Sequence, residues 1–449
     1  MSDLLSLLSL GSAGIAAQNT GVAVAQNNVA NVNTQGYSRQ RVDLEALLAS
    51  PLVGGVRSGD PQRIGSDLLA GRARTAAGAL AMAKAFAEAL SDVEARVSTG
   101  PTIDEQLGSL YSRISQLSAA PADPASRDAV VTAARDLVAG LRRRSAELDA
   151  AFDESNQRIS DNAQQATALA KSLADTNTQL ARSGDPTLAD KRDQIATQLT
   201  QLVGGAARID GDGQMRFVLD GGAVLVDGTH AEALTAAPDP TTGNVQLSVG
   251  ARDVTAQIGG GAVGADIAVR DHNLADARGQ LDQLAFDITK QFNAVHTANA
   301  GLDGTTGRNM FVPQAQVAGA ARAFALDPAL DADPSKLAAA APGSGPGDNR
   351  GALAMFALAT AKVATGGTTL TESAMSIISK VANATSAANT DVSRDQLVSD
   401  HLASLRDSLS GVDLQEELSN LSRFEHASAA MTKFVSTIDD MLGSLIERL

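Results

Sequence analysis

Residues 414–449 read LQEELSNLSRFEHASAAMTKFVSTIDDMLGSLIERL. Within them Leu421, Phe424, Met431, Val435, Ile438, Leu442, Leu445 and Leu449 recur at three- and four-residue steps, and only Ser428 breaks the pattern. Asp413 stands where it can cap such a helix, with Glu416 placed to reach back. The other end of the chain carries the matching half of the pattern. Leu8, Ile15, Val22 and Val29 repeat every seven residues, supported by Leu4, Ala25 and Val32. Spacing of this kind makes a narrow apolar seam that needs a second helix to cover it. Burying these side chains does not offset the entropy of ordering two long segments. Each end is therefore expected to be loose in a free monomer and ordered when many copies pack together.

Where the first helix should stop, the chain reads Asn27-Asn28-Val29-Ala30-Asn31-Val32-Asn33-Thr34-Gln35-Gly36-Tyr37-Ser38-Arg39-Gln40. Asn and Gly tolerate the left-handed backbone that ends helices, so the stretch reads first as a helix terminus. It also resembles the N-terminal signature of the flagellar rod, hook and hook-associated proteins. The ending Gly36-Tyr37-Ser38-Arg39-Gln40 is most similar to the hook-associated members that form the hook–filament junction; Asn31, Asn33 and Thr34 complete the motif. The helix Leu188–Val203, with Arg192-Asp193-Gln194, resembles a second landmark of that family. So do Leu281–Phe286, Phe292–His296, the turn Asp303–Gly307, and Gly347-Asp348-Asn349-Arg350. Gln35 departs from the Pro common in relatives, and Ser428 from a common aromatic.

The resemblance implies a structural subunit, not an enzyme, with assembly seams on Leu4–Val32 and on Leu414–Leu449. It implies self-association into a ring or tube, contacts with the hook protein and a second junction protein, and an export chaperone on the C-terminal helix. It also implies unfolded export without a cleaved signal peptide and an extracellular place in the flagellum. A rod or hook subunit of the same superfamily is the nearest alternative. The Tyr37–Gln40 ending and the Arg192-Asp193-Gln194 helix count against it.

Between the ends the hydrophobic period sorts the chain into an α+β, mainly α fold. The expected parts are a coiled-coil core of terminal helices, an elongated helical bundle and a small inserted antiparallel β domain. Residues 42–70, with Pro51, Gly54, Gly55, Gly59, Pro61 and Gly65, read as a connector. Helices are expected over Arg72–Ser98, from the capping box Thr102-x-x-Glu105, and over a charge-mixed stretch from Ala125 to Arg182 that Gly184-Asp185-Pro186 ends. From Ala206 to Gly261 the period becomes two, with a hairpin signal at Asp220-Gly221-Gly222 and alternation at Val245–Val249 and Val254–Ile258. Further helix starts are expected at Thr369-x-x-Glu372 and Ser393-x-x-Gln396. The nested assignment is 1–41 with 406–449 for the axial core, 42–205, 262–300 and 347–405 for the bundle, 206–261 for the β domain, and 301–346 for a loop-rich segment. Gly204-Gly205 and Gly259–Gly261 bracket the β domain, which is expected to be removable.

Composition narrows the chemistry. The 449 residues include no Cys, no Trp and only two Tyr, and carry a net charge of −15. That excludes disulfides and thiolate chemistry and disfavours nucleic acid and anionic membranes. No run of apolar residues is long enough to span a bilayer. Arg142-Arg143-Arg144 reads as a solvated helix face. His230, His272, His296, His401 and His426 lack metal-ligand spacing and read as surface or partly buried residues, so no metal and no cofactor is expected. Gly259–Gly264 matches Gly-x-Gly-x-x-Gly, the one feature that would suggest an NAD-dependent enzyme. The acid that should follow a second parallel strand is missing, so a glycine hinge accounts for it better. Asp210-Gly211-Asp212-Gly213 hints at calcium but lacks the twelfth-position acid, and reads as a β-turn.

Overall fold

The computed structural model describes residues 2–34, 36–47 and 55–446. Gln35, Pro51, Gly54 and Leu449 lie outside them. The chain begins with α1 (Ser2–Ala30). Four short strands follow, β1 (Gln40–Arg41), β2 (Leu44–Leu47), β3 (Gly55–Ser58) and β4 (Gln62–Arg63). β1 pairs with β4 and β2 with β3, both antiparallel. The stretch expected as a plain connector is thus a β-ribbon that lies along α1, where Ser58 Oγ meets Thr20 Oγ1 at 3.4 Å. Its Gly and Pro residues mask the strand pattern.

The body is helical, and its caps are written in the sequence. Ser66 caps α2 (Asp67–Ser98), and Thr102 with Glu105 forms the capping box of α3 (Ile103–Ala119). Asp123 and Pro124 open α4 (Pro124–Ser183), an uninterrupted helix of 60 residues. Gly184, at φ +65°, ends it, because only Gly enters that region without strain. Asp185 then caps α5 (Pro186–Val203).

A β insert follows. β5 (Ala206–Ile209), β6 (Met215–Val218), β7 (Val224–Asp227) and β8 (His230–Ala231) form one antiparallel sheet. β9 (Leu234–Pro238), β10 (Val245–Val249) and β11 (Arg252–Asp253) form another. The Asp220-Gly221-Gly222 hairpin is present between β6 and β7. Asp210 closes a turn by accepting from the Asp212 and Gln214 amides. Alternation over Val254–Ile258 does not produce a strand. Thr255–Gln257 is a 3₁₀ turn that still buries Val254 and Ile258.

Helix resumes with α6 (Gly261–Ala268), a π-helical turn over Val269–Leu274, and α7 (Ala275–Thr297). Short helices α8 (Ala320–Ala323), α9 (Pro328–Ala332) and α10 (Arg350–Ala357) lead to α11 (Leu370–Ser410) and α12 (Leu414–Ile446). The helix start expected at Ser393 does not occur. α11 packs along α2 without a break, and the Ser393 hydroxyl donates to the Asn389 carbonyl inside it.

Two cores share α4. Its first half packs with α2, α3, α7, α10 and α11 around Leu90, Leu110, Ile114, Leu137 and Phe292. Its second half backs the β insert through Ile159, Leu173, Leu199, Phe217 and Leu247. The loop-rich segment belongs to the first core. Phe311 and Phe324 are fully buried there, in a ring series running from Tyr111 through Phe292. Asn293 fixes the segment by donating to Phe311 O and accepting from the Met310 and Phe311 amides.

His296 is fully buried, beyond the surface or partly buried position expected. The Ala338 amide donates to its Nε2 at 3.0 Å, so Nδ1 carries the proton and donates to Arg308 O at 2.7 Å. Arg144 also departs from the solvated reading. It is buried and donates to the Val97 carbonyl in the last turn of α2 and to the Pro101 carbonyl just past it, because the helix end offers unpaired acceptors there.

Two outcomes follow from these packings. The β insert enters and leaves where Gly204 and Gly260 touch: a Cβ on Gly204 would lie 2.7 Å from Gly260 Cα. Deleting 206–258 should therefore leave a chain that closes, with the first core melting cooperatively. The shared second core means that residues 159–203 should lose amide protection in the deletion variant, and hydrogen exchange will show it. Separately, burial holds the His296 pKa below 6.5. Stability is therefore complete above about pH 6.5 and falls as the pH drops toward the lowered value, because the unfolded chain binds the proton first. His296→Gln should flatten the acid side of the Tm–pH curve by up to about 1.4 kcal/mol per pH unit.

Candidate assembly interface

α1 and α12 lie antiparallel against each other, so each supplies the cover that the other's seam requires. Both are continuous helices. Their contact includes features that a tally of apolar residues omits. Gly11, Gly14 and Gly21 form notches that receive Val435, Met431 and Phe424. A Cβ on Gly21 would sit 2.7 Å from the Phe424 ring, and Cβ atoms on Gly11 and Gly14 would overlap Val435 and Met431. Glycine is costly inside a helix, and here its missing side chain permits close approach. Ser428, the break in the pattern, donates to Asn19 Oδ1 at 3.0 Å across the pair.

The expected seam residues divide between two faces. Ala17, Ala25 and Ile438 are buried in the contact. Leu4, Leu8, Ile15, Val22, Val29 and Val32 are half-buried, as are Leu421, Phe424, Met431, Val435 and Leu442. Leu414 and Leu445 are exposed. With them on the outer surface stand residues not singled out in the sequence: Leu5, Leu418, Phe434, Met441 and Ile446. The paired ends thus retain open apolar surface on both helices.

The Asn27–Gln40 motif forms the joint between these helices and the body. Asn31 donates to Asn27, Thr34 donates to Asn31, and Gly36 turns the chain at φ +83°. A Cβ on Gly36 would meet the Gln194 side chain at 2.6 Å. Asn33 is exposed. The Ser38 amide donates to Asp190 Oδ2 at 3.1 Å, and Arg63 reaches Asp190 at 3.0 Å and Asp193 at 2.7 Å. The two sequence landmarks, far apart along the chain, are therefore one contact.

Asn28 organises the other side of the joint. Its Nδ2 donates to Gln40 O at 2.9 Å and to Glu417 Oε2 at 3.0 Å. Its Oδ1 accepts from the Gln40 amide at 2.9 Å and from the Tyr37 hydroxyl at 2.8 Å. Arg39 donates through Nε to Glu417 at 2.7 Å and through Nη2 to Glu416 at 2.6 Å, so Glu416 is not free to complete a capping box. Asp413 does cap α12, accepting from the Gln415 amide at 2.8 Å. Burial, with Asp190 and Glu417 adding to it, pushes the Tyr37 phenol up to about 12. Burial also raises Asp190, against the pull of Arg63. The hydrogen bond to Glu416 raises Arg39 further above its ordinary value. Glu417 escaped the sequence reading, although an acid seven residues before Phe424 on the seam was a visible signal.

Among the described residues no His, Asp or Glu cluster is arranged to hold a metal ion, and no helix is long and apolar enough to cross a membrane. The Gly259–Gly264 run serves packing. A Cβ on Gly261 would collide with the backbone at Leu202 and Val203.

Comparison with known proteins agrees with this architecture. Residues 90–311 match the family described as flagellar hook-associated protein FlgK helical domain. Flagellar hook-associated protein 1 of Escherichia coli (strain K12) is 24% identical, over 98% of this chain and 99% of that protein. Its counterpart in Bacillus subtilis (strain 168) is 24% identical, over 96% of each. The hook junction protein FlgK from Burkholderia pseudomallei shares the fold, with a TM-score of 0.67 at 16% identity, over 77% of this chain and all of that one. In its helical body the chain is similar to the hook-associated flagellar proteins. Over nearly its whole length it is similar to flagellar hook-associated protein 1.

The notches make a graded prediction. Met431 is flexible and can move aside, whereas the Phe424 ring is held on three of its atoms within 3 Å of a Cβ on Gly21. Gly21→Ala should therefore weaken the α1–α12 pair by about 1–2 kcal/mol more than Gly14→Ala. Amide exchange across α12 will measure the difference.

Proposed function

We propose that this chain is a structural subunit of the bacterial flagellum that joins the hook to the filament. Many copies assemble into a ring or tube through their paired terminal helices. The observation that carries the reading is the apolar surface left open on α1 and α12 after they have covered each other. A finished monomer has no use for exposed Leu5, Leu418, Phe434, Met441 and Ile446 on one rod, whereas a subunit packed against copies does. The match to the FlgK helical-domain family supports the same role, as does the name hook-associated protein 1 carried by relatives that match nearly the whole chain.

The neighbours are the hook protein on one side and a second junction protein on the other. An export chaperone holds the C-terminal helix before assembly. Its apolar stripe would otherwise be exposed in an unpaired chain. The place of action is outside the cell, in the flagellum. The role is structural, in keeping with polar side chains that pair with each other at the joint.

Aspartate at Val435 should separate folding from assembly. The substitution places a carboxylate between α1 and α12 and in the seam between copies, at a cost of several kcal/mol per copy. The body, whose cores lie elsewhere, should melt as in the unsubstituted protein. Cells that carry only Val435→Asp should build bare hooks and release flagellin into the medium. Normal filaments on that variant would remove the basis for the reading.

A further inference from the structure

The contacts between α1 and α12 repeat at heptad intervals. On α1 the contact positions are Gly14, Gly21 and Asn28; on α12, running the other way, they are Met431, Phe424 and Glu417. Gly14 and Gly21 are equivalent notches. Shape alone would therefore admit α12 one heptad out of place, with Phe424 in the Gly14 notch. The third layer is different in kind. Asn28 is fully buried and Glu417 is 2% exposed, and each uses the other as a partner. A slip of one heptad would carry Glu417 to Gly21, away from Asn28 and Arg39, and leave a buried carboxylate without a donor.

We propose that Asn28 and Glu417 are the register-setting residues of the terminal helix pair, held in place by Tyr37 and Arg39. The apolar layers make the helices adhere, and the polar layer selects one axial alignment among those the notches permit. A single buried polar position that specifies register is the best-attested use of such groups in paired helices. The strap formed by Tyr37–Gln40 reinforces the choice, because the Arg39 amide donates to Ser410 O at 2.8 Å and ties the end of α11 to the same point. The alignment fixes where Phe434 and Met441 fall relative to Leu8 and Ile15, and hence the pattern of the outer surface. The inference concerns pairing within one chain and stands apart from the assembly reading.

The chain contains no cysteine, so two introduced cysteines can carry spin labels without a background. Ala23→Cys and Ser436→Cys are exposed positions on α1 and α12. Electron–electron distance measurement on the full chain should give one distance in this background. Adding Asn28→Leu with Glu417→Leu should produce a second population displaced by about 10 Å, the rise of seven helical residues. Glu417→Gln, which keeps one acceptor oxygen for Asn28, should keep the single distance. One unshifted distance in the double leucine variant would overturn the proposal, because notches or connector would then suffice. Loss of any defined distance would overturn it too, by showing that the polar pair holds the helices together without aligning them. A Glu417→Gln variant that splits like the leucine pair would contradict the hydrogen-bonding account.

Discussion

Glu417 is a carboxylate in an apolar seam with 2% of its surface exposed, and much of the molecule's long-range order is arranged to satisfy it. A buried charge without partners is among the most costly features a fold can contain. Here the partners come from two segments of the chain, Asn28 at the end of α1 and Arg39 on the strap, which Tyr37 and Asp190 hold in place from either side. The contacts of Asn28 and Arg39 with Glu417 need α12 in place, and that of the Ser38 amide with Asp190 needs α5. The polar cluster therefore ties the geometry of the joint to both helices. The apolar layers beyond it contribute adhesion with less discrimination.

A joint that is fixed in this way needs a stiff body to act against, and α4 supplies the stiffness. One helix of 60 residues spans both cores, so the β insert and the helical bundle cannot pivot freely on each other. α5 returns from the far end of α4 and brings Asp190 and Asp193 back to the strap. Arg63 bridges both acids, and Arg74 on α2 approaches Asp193 at 3.4 Å. Ordering of the first and last residues is thereby linked to the second core through charge-assisted hydrogen bonds, which are stronger than neutral ones.

The sequence made the helical elements legible because their ends are chemically marked. Thr102 with Glu105, Thr369 with Glu372, Asp123 with Pro124, and Gly184 each satisfy groups that any helix leaves unpaired. The ribbon at β1–β4 was not legible, because strands of two to four residues carry too little alternation to stand out among Gly and Pro. At the candidate interface the heptads announced that the ends were partners, but they pointed to the wrong contact face on α1. Leu8, Ile15, Val22 and Val29 carry the heptad of that helix, yet the closest approach runs through Gly11, Gly14 and Gly21. A reading by hydrophobicity gives weight to the side chains that are present, whereas this contact depends on side chains that are missing.

That displacement of the contact face has a structural consequence. If the large residues of α1 had faced α12, the pair would have closed on itself and left a polar exterior. Because glycines make the internal contact, Leu8, Ile15, Val22 and Val29 are only half covered and remain turned partly outward. α12 behaves the same way, inserting Val435, Met431 and Phe424 while Phe434 and Met441 stay exposed. Close internal packing through small residues thus releases large residues for external packing, and each terminal helix can serve two interfaces at once. Pairing within the chain does not compete with contacts between copies. It presents the surface from which those contacts can be made, in the alignment that Asn28 and Glu417 select.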